Sequence, residues 1–171
     1  MTSAAQRKLR PKPWEAAGFQ NLLRACLSHD GADEGPVATF EESGCTHSRY
    51  GLRLTLPTGV QVYLQIVAGQ PPDERRPAQG APPLRQRSAP LPTTGSTALA
   101  AVELHLIDAL TARQDPLVQA VTPLSSSNGS IPYGLRVAFH SGAYVFCYVA
   151  LLVPAGWTRP LGGLFPELSH V

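Results

Sequence analysis

The sequence contains little lysine, few aromatic residues and no long apolar run. Two of its 171 residues are lysine, and aromatic residues make up 7%. The apolar stretch at 143–153 is too short to span a bilayer, and no apolar stretch follows the basic start at 1–12. We therefore expect a cytoplasmic protein that has no membrane partner.

Motifs that name an enzymatic reaction are also missing. The sequence has no glycine-rich phosphate-binding motif, no dinucleotide-binding fingerprint and no nucleophile elbow, and its five histidines lack metal-ligand spacing. Cys45 and His47 lie two residues apart, but a Cys–His nucleophile also needs a positioning acid, so a polar loop is the favoured interpretation. We predict that the protein is not an enzyme and has no catalytic residue, cofactor or metal site.

The cysteines do not indicate a disulfide framework. There are three of them, so they cannot all pair within one chain. Cys26 lies on the apolar stripe of a predicted helix, and Cys147 lies on the apolar face of a predicted strand. Both are therefore predicted to be reduced thiols in the core.

Positive charge is concentrated in two segments of the chain. Residues 1–12 carry four basic residues and no acid, and residues 69–96 carry four arginines and two acids. The remaining residues, with six arginines and ten acids, sum to −4. A mildly acidic body weakens the case for a surface that binds phosphates.

The most informative feature present is an internal repeat, in which the second half of the chain aligns with the first at one constant offset. The segment Tyr50-Gly51-Leu52-Arg53-Leu54 matches Tyr133-Gly134-Leu135-Arg136-Val137, and Thr58-Gly59 matches Ser141-Gly142. The alignment needs no gap and extends backward to place Thr39 on Thr122 and Phe19 on Val102. One supersecondary unit is therefore predicted to occur twice, as an intrachain pseudo-dimer.

Each copy shows helical periodicity, then a short strand-like run, then a hairpin pattern. The predicted fold class is α+β, with two helix-strand-hairpin (αβββ) units, each a three-stranded antiparallel sheet with a helix on its apolar face. The predicted organisation is a flexible basic N-terminus at 1–12, the first unit at 13–68, a flexible linker at 69–96, the second unit at 97–153 and an irregular apolar tail at 154–171.

The linker at 69–96 contains seven prolines and little apolar content. Such a composition cannot repay the entropy of ordering, so the linker is expected to be extended and mobile. Limited proteolysis is expected to cut it first, at Arg75, Arg76, Arg85 or Arg87.

The alternation of side chains between the two faces of a strand determines the register of each hairpin. A three-residue loop at 57–59, with Gly59 in the left-handed conformation, pairs Leu54 with Val62 and sorts apolar from polar side chains. The opposite face then pairs Arg53 with Tyr63. In the second copy, the same register pairs Arg136 with Phe146.

This second face carries both arginines and several aromatic rings, which is unusual for a solvated surface. It is predicted to be where the two units pack on each other or on a second chain, where a protein partner binds, or where single-stranded bases stack. The candidate interaction face consists of Arg53, Tyr63, Gln65, Arg136, Tyr144, Phe146 and Tyr148. A candidate docking tail consists of Trp157, Leu161, Leu164, Phe165 and Leu168.

The sequence favours a non-enzymatic protein-interaction or assembly factor, with a protein partner or self-association. The alternative is a nucleic-acid-binding protein that uses the arginine and aromatic face together with its basic segments. A small enzyme at a cleft between the units, with Cys45 and His47, ranks third.

Overall fold

The computed structural model describes residues 10–28, 37–46, 48–69, 99–126 and 133–157. This part of the chain is α+β, with two helices and one six-stranded antiparallel sheet. The elements are α1 (Ala16–Leu27), β1 (Val37–Thr39), β2 (Gly51–Thr55), β3 (Gln61–Gly69), α2 (Leu99–Arg113), β4 (Val118–Pro123), a 3-10 turn (Leu124–Ser126), β5 (Gly134–Phe139) and β6 (Tyr144–Val153).

Both helices lie on one face of the sheet, which we call the inner face. Apolar residues at helical spacing form a buried stripe on each helix, including Phe19 and Leu23 on α1 and Val102 and Leu106 on α2. These residues pack with the inward side chains of the strands in one core cluster, and the two helices contact each other. The other face of the sheet, which we call the outer face, has no helix on it in the described part of the chain.

The strand order is β1-β2-β3-β6-β5-β4, so the sheet is continuous. The three strands predicted for each unit are present, and the two sets form one sheet because β3 pairs with β6 in antiparallel fashion along its whole length. These are the two longest strands, of 9 and 10 residues. Their mutual pairing satisfies the backbone groups that two separate sheets would leave on long open edges.

The predicted hairpin registers are confirmed. Leu54 pairs with Val62 in the first hairpin, and Val137 pairs with Val145 in the second. The loops close alike, with a glycine in the left-handed region at φ 81° in the first and 83° in the second. A glycine is required there because other residues are strained at positive φ.

The short first strands depart from the gapless alignment. Thr39 pairs with Leu52, and the repeat alignment matches Leu52 with Leu135. Thr122, the predicted equivalent of Thr39, pairs with Arg136, so its pairing is displaced by one residue. A bulge between Val118 and Ala120 accommodates the extra residue. The N-terminus at 1–9, the linker beyond 69 and the tail beyond 157 lie outside the described residues.

Candidate interaction face

The outer face has an unusual charge composition. The six strands contain no acidic residue, and their only charged residues are Arg53 and Arg136. Both arginines point to the outer face, because their strand neighbours Leu52, Leu54 and Val137 belong to the inner core. The strands therefore give the outer face only positive formal charge, which two side chains carry.

One corner of the outer face is covered by the turn that follows β1. Phe40 and Cys45 from this turn pack with Tyr63 of β3 and Val153 of β6 in a second apolar cluster, which we call the covered corner. The Phe40 ring lies 5.9 Å from the Tyr63 ring, centroid to centroid. The Phe40 ring also fills the space where a Cβ at Gly51 would stand, so Phe40 covers this glycine.

Hydrogen bonds hold the covering turn in place. The Thr39 N–H donates to Glu42 Oε2 at 2.7 Å, and the Glu42 N–H donates to Thr39 Oγ1 at 3.1 Å. The Arg24 guanidinium on α1 also donates to Glu42, at 2.9 Å. The hydrogen bond from the Thr39 backbone, together with Arg24, lowers the pKa of Glu42. A charged carboxylate at this position therefore connects the turn to the first helix.

Within the covered corner, Arg53 lies beside Tyr63, as the register predicts. Tyr63 is 2% exposed, and its hydroxyl donates to Gln61 Oε1 at 3.3 Å. Burial raises the pKa of Tyr63, while the charge and a hydrogen bond of Arg53 act in the opposite direction. The buried Nε of Arg53 has no hydrogen-bond partner. Arg53 therefore packs as part of this corner.

The rest of the outer face carries a row of aromatic rings on β6, which we call the aromatic ladder: Tyr144, Phe146 and Tyr148. The three rings alternate along one strand face and are all half-buried. Tyr144 and Phe146 meet edge to face, with centroids 5.4 Å apart. Burial raises the pKa of Tyr148.

Arg136 crosses this ladder, but on a different ring from the one expected. It pairs with Phe146 in the register, whereas its guanidinium lies 5.2 Å from the centroid of Tyr144, the diagonal neighbour. Tyr144 has room to lie there because Gly69, its partner on β3, has no side chain. Arg136 is exposed, so this cation–π contact presents a positive charge to solvent.

The hypothesis of a catalytic Cys–His pair gains no geometric support. His47 lies outside the described residues, and Cys45 is 4% exposed within the covered corner. Cys147 is fully buried in the inner core, where desolvation raises its pKa to about 12 and keeps the thiol neutral. Among the described residues, no three potential ligands cluster as a metal site would require.

One pair of contacts was missed by sequence reasoning. Gln20 on α1 accepts a hydrogen bond from the Gly51 N–H at 2.9 Å, and Glu103 on α2 accepts one from the Gly134 N–H at 3.0 Å. We call these two contacts the helix–strand bridges. Glu103 also accepts hydrogen bonds from the backbone and hydroxyl of Ser125. The sequence signal for these contacts is a polar residue beside the apolar stripe of each helix, Gln20 on α1 and Glu103 on α2.

The predicted docking tail is represented by a single described residue. Trp157 is 64% exposed and follows a turn in which its N–H donates to the Pro154 carbonyl at 3.2 Å. The other tail residues lie outside the described part of the chain.

No protein-family model, curated protein or solved structure matches this chain. Within the described residues, neither helix is long and apolar enough to cross a membrane. Function must therefore be argued from the geometry of the chain itself.

Proposed function

We propose that this chain is a protein-binding module whose ligand is an extended segment with apolar and acidic side chains. The observation that carries this proposal is the aromatic ladder crossed by the exposed guanidinium of Arg136. Rings of this kind supply large contact areas at low cost in side-chain entropy, and an exposed arginine selects carboxylates. Both helices pack on the inner face, so neither helix covers the aromatic ladder.

Charge argues against a second copy as the occupant. Two identical outer faces would bring Arg136 of each chain against strands that contain no acid. Like charges placed opposite each other oppose association. A ligand that contains a carboxylate complements the face, so we commit to that chemistry.

Nucleic acid is the second candidate, because bases can stack on successive rings of a strand. It ranks lower because phosphate binding needs several cations along a groove, and this face has one exposed arginine. The turn beside the sheet adds the acidic residues Glu41 and Glu42, which are both exposed.

The cytoplasmic location expected from the sequence stays a prediction.

A peptide array tests the choice between these ligands. The full chain should select peptides rich in Phe and Leu together with Asp or Glu, and Arg136→Glu should shift the preference toward Lys and Arg. Arg49→Glu is the matched control, because Arg49 is exposed but lies against Tyr50 outside the outer face. Absence of peptide selection, with salt-sensitive binding of a polyuridine oligonucleotide that Arg136→Ala abolishes, would favour nucleic acid.

We also infer that the module arose as two copies of one unit that associate like a dimer. Support comes from the central pairing, where Gln65 pairs with Tyr148, its own equivalent in the repeat alignment. On either side, Leu64 pairs with Val149 and Ile66 pairs with Cys147, so equivalent residues exchange roles. This reciprocity is the hallmark of an isologous interface with a two-fold axis.

The helix–strand bridges are a second observation that supports the duplication. Gln20 and Glu103 are equivalent in the repeat alignment, as are their partners Gly51 and Gly134. Two helices thus contact their own hairpins through equivalent side chains. The bulge in β4 and a register shift beside Tyr63 in the β3–β6 pairing are local departures from the symmetry.

A hairpin exchange tests the duplication. Replacing residues 51–66 by a second copy of residues 134–149 should give a chain that unfolds cooperatively with the same β-sheet signal. The control replaces residues 50–65 by 134–149, which moves every side chain to the wrong face and should prevent folding. Equal failure of both chains would contradict equivalence of the hairpins.

A further inference from the structure

We infer that the ligand of the aromatic ladder presents an aromatic ring followed by acidic residues, and that this ring packs on Phe146 and Val67 beside Arg136. The inference rests on the proposed function, because it names the side chains that the same face selects. The template for this ligand is the covering turn at 40–45, which the chain holds over the other half of its outer face.

The two halves of the outer face contain corresponding rows of side chains. Each row runs across the sheet and consists of an arginine, an aromatic residue and an aliphatic residue that pairs with the aromatic one. The rows are Arg53-Tyr63-Leu151 and Arg136-Phe146-Val67. The arginines and the aromatic residues of the two rows match each other in the repeat alignment.

The rows differ in what lies over them. Tyr63 is 2% exposed, because it packs with the ring of Phe40 in the covered corner. In the second row, Phe146 is half-buried and Val67 is 40% exposed, although β3 lies in the middle of the sheet. The 3-10 turn after β4 supplies no ring, since residues 124–126 are leucine and two serines. The second row therefore leaves open the apolar contact that the first row makes with Phe40.

The covering turn shows which side chains suit such a row. Phe40 is fully buried, and the two residues that follow it, Glu41 and Glu42, are exposed. The turn thus combines one buried ring with two carboxylates at its edge. This is the apolar and acidic chemistry proposed for the external ligand, in a definite order along the chain.

Charge fits the same order in the second half. In the first half, Glu42 accepts from Arg24 on α1, 2.9 Å away. The repeat alignment places Ile107 at the position of Arg24, so α2 has no cation there. The exposed cation beside the second row is Arg136, on strands that contain no acid. Carboxylates that follow a bound ring therefore find their partner in Arg136.

A peptide copied from the covering turn tests the chemistry. A fluorescent peptide of residues 37–44 should bind the full chain in an anisotropy titration. The peptide that carries Phe40→Leu should bind about tenfold more weakly, because the contact between rings is lost. The peptide that carries Glu41→Gln and Glu42→Gln should bind about threefold more weakly at low salt, and the difference should shrink at high salt.

Two exposed aliphatic residues of the protein test the position. Val67→Glu places a carboxylate in the second row and should weaken binding of the turn peptide about tenfold. Leu104→Glu is the matched control, because Leu104 is 45% exposed on α2, in the helix layer. It should leave the affinity unchanged. Val67→Thr keeps the branched shape that strands favour and should weaken binding about threefold, so the test does not depend on how well the glutamate variant folds.

A photoreactive ring locates the peptide directly. With p-benzoylphenylalanine in place of Phe40 in the peptide, irradiation should join the ring to Val67 or to residues 144–148, as identified by peptide mass spectrometry. Attachment to Tyr63 or to residues 151–153 would show that the peptide displaces the chain's own turn, and would overturn the inferred placement.

The outcomes separate this inference from the proposed function. Suppose that the peptide array shows selection through Arg136, while the turn peptide fails to bind or binds equally well with Phe40→Leu. The inference is then overturned and the proposed function stands. Equal losses of affinity in Val67→Glu and Leu104→Glu have the same meaning. If neither the array nor the turn peptide shows binding, both proposals are overturned, and binding of the polyuridine oligonucleotide would assign the row to nucleic acid.

Discussion

The two halves of the outer face have the same strand register and different surfaces. In the first half, the turn after β1 brings Phe40 and Cys45 over Tyr63. In the second half, Ser125 in the turn after β4 donates hydrogen bonds to Glu103 of α2, in the helix layer. Arg136, which lies over the aromatic ladder, stays exposed. The difference between the halves shows that the loop beside a strand decides whether aromatic residues on that strand are buried in a core or stay partly exposed.

The largest expected effect contrasts one phenylalanine from each half. Phe40 is 0% exposed, so Phe40→Ala should lower the free energy of unfolding by about 3–5 kcal/mol. Phe146 is half-buried, so Phe146→Ala should cost about 1 kcal/mol while weakening peptide binding. Urea denaturation measures both. Equal losses of stability would show that the ladder is as deeply packed as the covered corner.

Local patterns predicted the register of each hairpin because alternation of side chains has only one solution at each loop. The pairing of β3 with β6 was not predictable, since it joins strands that are far apart in the sequence and no local pattern encodes it. The covering of Gly51 by Phe40 and the contact of Arg136 with Tyr144 depend on rotamers and on a neighbouring turn. The fold class was therefore accessible, and the asymmetry of the site was not.

The next expected effect compares the helix–strand bridges. Glu103 is 3% exposed and accepts from both Gly134 and Ser125, so Glu103→Ala leaves the buried Gly134 N–H and two part-buried donors of Ser125 without this acceptor and should cost about 3 kcal/mol. Gln20 is half-buried and accepts from Gly51, so Gln20→Ala should cost about 1 kcal/mol.

Glu103→Gln is the control for this comparison. Its amide oxygen can still accept from Gly134, as the amide of Gln20 does from Gly51. The cost should therefore be about 1 kcal/mol. If Glu103→Gln destabilises as much as Glu103→Ala, the negative charge itself is required and the two bridges are not equivalent.

The smallest expected effect contrasts the two arginines. Arg136→Ala removes an exposed cation–π contact and should cost about 0.5 kcal/mol, whereas Arg53→Ala should cost about 1 kcal/mol because Arg53 lies against buried Tyr63. The sharper measurement is an alkaline absorbance titration. Since Arg53 lowers the pKa of Tyr63 against the effect of burial, Arg53→Ala should raise that pKa further, and Arg136→Ala should leave it unchanged.

The sign of the linked stability follows from this direction. Tyr63 is neutral when buried, so its contribution is fully present below the unfolded tyrosine pKa of about 10 and is lost as pH rises through the higher folded value. Arg53→Ala extends that loss to higher pH, which a series of urea titrations between neutral and alkaline pH would reveal. Should Arg136→Ala shift the same titration equally, the covered corner and the ladder would be one electrostatic unit, and the division of the outer face into two halves would be wrong.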